Sequence, residues 1–512
     1  MLATAGLSDR IRGEENARAG RFHPTPVSTT YKCIFNHELL IICNKDDNSP
    51  AYIGSFIDKL KNTDVDAIMC CPTMWRTNVY PSEVDPQWKK YTPEQRSTKF
   101  PSFDRIMRYI HGGGDPVKDT LEACRRNGKD FFVSYRMNDR HYVNDLTWPS
   151  HNAIWREHSE YWLGDSNDTP RPGSDNVRIF NYMIPEVRDY YFSILRELCT
   201  NYDVDGVELD FQRHAHFFRR ENLEEGRGVM TAFIQRIKRM MEDIGRPRGK
   251  SLKLCVRIPE TRAKCEAVGL DIPAWDQQRL VEMVNLSPSY NHTIELGVEE
   301  FRAALRHAKL YGEMNYVTYQ APRRTGATNR RYTTFEIYRA SALNLFHRGV
   351  DGLSLFNYDY VPAAQRVPMA AGLRGITDRD YLRQSAKNYA IYAGFGTFPA
   401  KDEKTIELVI ADDTSRVRFE RAILRVETRR GAPAPEIEAE WNKTPLTPLA
   451  REETELFPPL AQNEAYPARA ALRFFTVPLE RIVPGRNTLR LANRQRTTRS
   501  CEFVSMELGL YR

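Results

Sequence analysis

The sequence predicts a (β/α)8 TIM barrel followed by a small all-β sandwich, and three observations carry that expectation. Eight short apolar runs recur between residues 39 and 356. Amphipathic stretches with helix starts and stops separate most of them, the alternation expected of a parallel sheet closed on itself. Beyond residue 400 helical spacing ceases, and short strand-like runs remain, divided by Pro, Gly and Asn clusters.

The eight runs are Leu39–Cys43, Ala67–Cys71, Phe131–Tyr135, Val207–Phe211, Leu254–Ile258, Met283–Leu286, Met314–Thr318 and Leu353–Phe356. The segment from Pro116 to Gly128 opens on proline, spaces its apolar residues by three and four, and stops at glycine. Pro185–Cys199 and Val229–Gly245 repeat the scheme. A doubly wound open sheet has the same alternation, but no GxGxxG or P-loop follows any run. The fourth and eighth runs echo each other, VDGVELDF at 204–211 against VDGLSLFN at 350–357, and Val65-Asp66-Ala67 opens the second run similarly. V-D-G is equally good loop chemistry between a helix and a strand. Trp148, Trp155 and Trp162 recur every seven residues, which reads as one amphipathic helix inside a long insertion, Val143–Asp175, walling one side of a cleft. Later come Ile406–Ile410, Val417–Val426, Ile437–Trp441, Ala471–Val477, Thr488–Leu491 and Phe503–Leu510. The expected organisation is an N-terminal extension at 1–30, a barrel at 31–398 and a sandwich at 399–512.

Composition narrows the function classes. Hydrophobic residues make up 41% and charged residues 28% of 512, ordinary for a globular chain with a buried core. The net charge of +7 comes from 74 basic against 67 acidic residues, interleaved rather than striped, so no nucleic-acid partner is expected. A uronic or sulfated sugar stays open as an anionic substrate. No run of 18 apolar residues exists, so no membrane partner is expected. The first twenty residues are too charged for a signal peptide, which places the chain in the cytoplasm if complete and outside if a leader was removed. Nine cysteines without a CxxC fit a reducing compartment, and no structural zinc site is expected. Asp46, Asp47 and Asn48 lack the spacing of a calcium loop, and His214 and His216 are two apart rather than four. No metal and no cofactor is expected, and the oligomeric state is open.

Barrel enzymes build their sites at the C-terminal ends of the strands. Every run here ends in polar residues: Asp46 after the first, Trp75 after the second, Arg136, Asp139 and His141 after the third. Gln212 and His214 follow the fourth, Arg257 and Glu260 the fifth, Tyr290 the sixth, Tyr358 and Asp359 the eighth. These are the candidate substrate-binding residues. Trp75 is a candidate stacking platform, with core packing as the other reading, and Asp139 with His141 would bind hydroxyls or orient a carboxylate. Within the fourth run Glu208 and Asp210 are two apart, so both side chains point to one face, with Cα atoms about 7 Å apart. Two carboxylates at a barrel mouth are what glycoside hydrolysis needs, one holding a proton and one ionised. The structural alternative is an ion pair between one of them and Arg136 or Arg257.

The stretch DGVELDFQ (205–212) resembles the "DG-x-D-x-D-x-E" strand of chitinase-type hydrolases, with Asp210 on its last Asp and Gln212 where that strand carries its acid. RMNDRH at 136–141, with the Asn/Asp-rich first strand end, resembles the glycosyl hydrolase-like barrels, including the family-10-like group, over roughly residues 30–395. EAEWNKTPL and VPLERIVPGRNTLRL resemble the sandwiches that trail such barrels, with Lys443 in place of a turn glycine. The resemblance implies a glycosidase acting on an oligo- or polysaccharide of plant, algal or microbial origin. It also implies an acid/base after strand four, which suits Glu208, and a nucleophile after strand seven. Glu313 fits that second place only if the seventh strand is Ala308–Glu313 rather than Met314–Thr318. Two alternatives stand beside hydrolysis: a non-catalytic carbohydrate-binding barrel, supported by Gln212, and a metal-dependent hydrolase or lyase.

Overall fold

Side chains alternate along a strand, so a barrel strand can hold one face in the lumen and pack the other under helices. The computed structural model describes residues 30–39, 49–92, 99–165, 176–288, 296–320, 330–360, 369–391, 397–429, 436–449, 470–494 and 501–512. Eight strands pair in parallel and close: β1 (Cys33–Glu38), β2 (Ala67–Cys71), β3 (Asp130–Arg136), β4 (Gly206–Asp210), β5 (Lys253–Pro259), β6 (Met283–Ser287), β7 (Lys309–Asn315) and β8 (Gly352–Phe356). Closure sets Cys33 of β1 opposite Leu353 of β8. The outward residues, such as Phe35, Val133, Leu209, Val256 and Leu355, join the large core beneath the helices. Those helices include α1 (Pro50–Asp58), α2 (Pro101–His111), α3 (Pro116–Arg126), α4 (Pro185–Asn201), α5 (Leu223–Gly245) and α6 (Phe335–Arg348). In α3, Asp115 accepts from the Val117 and Lys118 amides, Pro116 opens the first turn, and Gly128 turns left-handed just past the end.

Two expected strands lie elsewhere. The first is Cys33–Glu38, not Leu39–Cys43; Leu39 is already past it, and residues 40–48 fall outside the described residues. The lumen face of β1 carries Asn36 and Glu38, so unbroken apolar character pointed to the following segment instead. The seventh is Lys309–Asn315, and most of Met314–Thr318 lies beyond it, where Val317–Gln320 pairs with Arg330–Tyr332 as a hairpin. Glu313 therefore belongs to β7. The expected amphipathic helix through the three tryptophans is also absent. Asn152 caps a short helix at Ala153–Glu157, a 3-10 turn follows at Ser159–Tyr161, and Pro149 bars the helix from reaching back to Trp148.

The V-D-G echo has a structural meaning. Immediately before each even strand stands a carboxylate that accepts the amide of the preceding strand's start. Asp66 takes Cys33 N at 3.1 Å, Asp205 takes Phe131 N at 2.8 Å, Glu282 takes Leu254 N at 2.7 Å, and Asp351 takes Leu310 N at 2.9 Å. Three of the four also meet a cation: Arg125 at Asp205, Lys238 at Glu282 and Arg302 at Asp351. Four clasps thus ring the N-terminal foot of the barrel, one at every second strand.

Beyond the barrel two antiparallel sheets face each other over their own core. One contains β9 (Lys387–Ile391), β11 (Arg421–Arg429), β13 (Ala470–Thr476) and β15 (Cys501–Tyr511); the other contains β10 (Glu403–Ile410), β12 (Ile437–Trp441) and β14 (Gly485–Asn493). At the β12 hairpin Asn442 and Lys443 both adopt positive φ, so lysine fills the turn position that glycine would favour. The chain crosses into this unit at Lys387, whose buried ammonium meets Asp412 at 3.1 Å. It also donates to the carbonyls of Leu382, Arg383 and Ser385 at the end of the helix Arg379–Gln384.

Candidate active site in the barrel lumen

The lumen divides by height. Its lower half is an apolar plug of Ile34, Ala67, Met69, Phe132, Cys255, Met283 and Tyr311, a cluster separate from the core outside the strands. Toward the C-terminal ends the inward side chains become polar. Glu208 sits level with Ser134 and Cys255 on the flanking strands, and Asp210, one pleat higher, with Arg136 and Arg257.

Glu208 is fully buried. Ser134 Oγ donates to it at 2.7 Å, the Cys255 thiol approaches at 3.5 Å and Asn285 Nδ2 at 3.4 Å. No cation reaches its carboxyl among the described residues. Burial and the neighbouring Asp210 push its pKa up to about 7. Asp210 receives Arg257 Nη1 at 2.9 Å and the amides of Gln212 and Arg213, each at 3.0 Å. Arg257 also grips Glu313 with two nitrogens, at 2.5 and 2.9 Å, and Ser287 Oγ donates to Glu313 at 2.7 Å. Burial nonetheless raises the Glu313 pKa above the ordinary carboxylate value. The guanidinium of Arg257 lies over Phe356, 4.0 Å from the ring centroid. Three strands therefore share one cation between two carboxylates, and leave a third carboxyl beside them holding its proton near neutrality.

Level with Asp210, Arg136 joins Glu38 to Asp139. Burial opposes ionisation of Glu38, but Arg136, Arg213 and the Tyr360 hydroxyl hold its pKa at about 2. Asp139 accepts from the His141 amide and Nδ1, both at 2.7 Å. Arg213 Nη2 lies 3.2 Å from His141 Nε2, so this histidine is neutral with its proton on Nδ1. Burial lowers the pKa of both His141 and His214, and His214 Nδ1 accepts the Arg140 amide at 3.1 Å. Gln212 Nε2 donates to the Ser287 carbonyl.

Glu208, Asp210, Glu313, Arg136, Asp139, His141, Gln212, His214 and Arg257 thus gather at the upper lumen and mouth. Trp75 lies beside them but is covered. Its ring stacks on Phe100 at 4.4 Å, meets Tyr142, Trp148 and His141, and is 8% exposed. Glu260 is committed to Lys264 on the next helix. Tyr358 packs on Tyr338, and Asp359 meets His37, whose ring packs against Phe56 of α1 outside the lumen. Asp46 and Tyr290 lie outside the described residues. Glu38, Tyr360, Arg213 and Arg140 were not selected from the sequence. Glu38 lies two residues from Asn36 on a strand whose apolar signal pointed further along, and Arg140 was passed over between Asp139 and His141.

No family profile and no curated protein sequence matches the chain. Its fold is similar to several solved structures at low identity. A Paenibacillus cycloisomaltooligosaccharide glucanotransferase aligns at 11% identity and TM-score 0.34, over 93% of this chain and 57% of the other. An α-L-fucosidase isoenzyme of Paenibacillus thiaminolyticus aligns at 11% and 0.37, over 91% and 97%. The glycoside hydrolase domain of PgaB from Bordetella bronchiseptica aligns at 11% and 0.44, over 68% and 99%.

Proposed function

We propose that this chain is a glycoside hydrolase that cleaves an O-glycosidic bond by carboxylate acid/base catalysis. The observation that supports it best is Glu208, a carboxyl raised to about 7 one pleat below Asp210 on the same strand. A proton held near neutral pH beside a carboxylate kept by a guanidinium is the pairing that glycoside cleavage uses. Glu208 would protonate the leaving oxygen, and Asp210 would stabilise positive charge developing at the anomeric carbon. Glu313, in β7, is the second carboxylate that could attack or activate water. The reading requires the scissile oxygen to descend past Gln212, Arg136 and Asp210 to reach Glu208, because all three carboxyls are buried.

A second reading has its own support. Arg257 ties down both Asp210 and Glu313, and Gln212 stands where a chitinase-type strand carries its acid. Those features suit a barrel that binds carbohydrate without cleaving it. A hydrolysis screen over a glycan panel separates the two, with wild type beside Glu208→Gln and Asp210→Asn. Hydrolysis expects sugar release by wild type and at least a hundredfold loss in both variants while binding persists. Glycan binding without release by any of the three would sink catalysis. The anomer of the first product then assigns retention or inversion.

A further inference from the structure

We propose that the mouth of the barrel beside β3 and β4 binds an anionic group on a sugar ring, a carboxylate or a sulfate ester. This rests on the carbohydrate reading above and names the substrate class that site takes.

The residues are consecutive. Arg140, His141 and Tyr142 follow β3, and the loop that carries them is pinned from below. Asp139 holds the amide and ring of His141, and Arg136 holds Asp139. The guanidinium of Arg76 donates to the carbonyls of Asp139 and His141 and lies over Trp155. Tyr142 has a φ of 55°, a left-handed backbone that a bulky residue adopts only when its surroundings enforce it. One face of its ring lies flat on Trp148, at 3.7 Å and 2°, yet the residue is 40% exposed. A partly exposed aromatic ring held rigid by stacking on one face is a surface on which a pyranose can stack. Trp75, the platform expected from the sequence, backs this assembly rather than facing solvent.

Arg140 supplies the charge. Its guanidinium is half-buried, its Nε is shut off from water without a hydrogen bond, and among the described residues no carboxylate pairs with it. The neighbouring guanidinia are engaged: Arg136 has Glu38 and Asp139, Arg257 has Asp210 and Glu313, Arg76 has the two carbonyls and His151, and Arg213 meets the His141 ring. A half-buried cation left without a counter-charge is costly, and burial correspondingly lowers the Arg140 pKa. His214 stands beside it as a neutral ring whose Nδ1 accepts the Arg140 amide, so its proton sits on Nε2 as a further donor. Arg140 and Tyr142 are two residues apart, at most about 7 Å along the chain, which is within reach of one substituted sugar ring. Asp139, His141 and His214 also lie close enough together to hold a divalent cation. The Asp139 oxygen, His141 Nε2 and His214 Nδ1 are already engaged by donors, and Arg76, Arg136, Arg140 and Arg213 crowd the spot with positive charge. That chemistry favours an anion.

The test is calorimetric titration of the full chain with oligogalacturonide, oligoalginate, glucuronoxylan and sulfated galactan oligomers. Each is paired with its carboxyl-reduced or desulfated counterpart. Binding of at least one acidic oligomer tenfold or more tighter than its neutral counterpart is expected, weakening as salt rises. The uronate and sulfate arms tell which anion it is. Arg140→Gln should abolish the preference while leaving the melting temperature unchanged or raised, and Tyr142→Ala should weaken acidic and neutral oligomers alike. Equal affinity for each pair, no acidic oligomer bound at all, or a preference that survives Arg140→Gln overturns the proposal. Turnover of a neutral glycan without acidic preference would remove this inference and leave the hydrolase reading intact. Tight acidic binding without turnover would do the reverse.

Discussion

The two ends of the barrel use carboxylates in opposite ways. At the N-terminal foot, Asp66, Asp205, Glu282 and Asp351 each clasp one backbone amide of the neighbouring strand, and three of them also meet a cation. They act one at a time, and each is satisfied locally. In the upper lumen Asp210 and Glu313 share Arg257, while no cation among the described residues reaches Glu208 and burial keeps its proton to about pH 7. A carboxylate that closes a strand pair needs one donor and does not need its neighbours. A set that shares charge and pushes one member's pKa upward is poised for proton transfer. The same residue type therefore reads as architecture at one end and as chemistry at the other, and its partners decide which.

The largest expected effect tests the upper end. Arg257→Met leaves two buried carboxylates facing each other without a cation, and removing one partner of a buried ionic group costs about 3–5 kcal/mol. Urea unfolding followed by a barrel signal should show that loss, together with a loss of activity. A variant as stable as wild type would mean that Arg257 does not neutralise Asp210 and Glu313.

Glu208→Gln should act in the other direction. Below pH 4.5 the glutamate is protonated in folded and unfolded chains alike, so it costs nothing. Between pH 4.5 and 7 the unfolded chain ionises while the folded one holds its proton, so stability falls as pH rises and levels off above 7. Across that window the penalty amounts to about 3 kcal/mol, and Glu208→Gln should remove it. Melting curves from pH 4 to 8 check this. The variant should match wild type at the acid end and exceed it at pH 8, and identical slopes for the two proteins would refute the raised carboxyl.

At the foot the effect is smaller. Asp205→Ala strands the Phe131 amide and leaves Arg125 with Asp203 alone, for about 1–3 kcal/mol. Turnover on any substrate found should be unchanged, because Asp205 lies at the opposite end of β4 from Asp210. A loss of turnover at full folding would break the division between the two ends.

Much of this division was legible in the sequence, and the limits have physical causes. Period two along a strand put Glu208 and Asp210 on one face, and the pairing of Asp210 with Arg257 was among the alternatives weighed. The V-D-G echo was visible as a pattern, but its meaning required knowing that the even strand's aspartate reaches across to the odd strand's amide, a contact more than thirty residues away. Glu38 was hidden because a buried strand with polar lumen residues is less apolar than the segment after it. Trp75 was expected as a stacking platform, yet its ring is covered, because exposure depends on what packs over a ring. Phe100, Trp148 and Tyr142 come together there only in the folded loop. Positive φ at Trp75, Tyr142 and Asn357, all in loops beyond strand ends, left no trace because none of the three is glycine.

The most discriminating prediction is also the smallest in size, a comparison of coupling at the two ends. Asp205 and Asp351 stand at the feet of β4 and β8, on opposite sides of an eight-stranded barrel, and share no partner. Their alanine variants should be additive within about 0.5 kcal/mol. Asp210 and Glu313 share Arg257, so Asp210→Asn or Glu313→Gln alone still leaves the guanidinium one carboxylate. Only the double variant buries Arg257 with none. It should therefore be less stable than the sum of the singles by about 0.5–3 kcal/mol. Two double-mutant cycles measured by urea unfolding decide the matter. If the foot couples as strongly as the lumen, the four clasps are one network, and the upper carboxylates lose the feature that sets them apart. If neither end couples, Arg257 is not shared between Asp210 and Glu313 in solution, and the two ends differ only in the burial that raises Glu208.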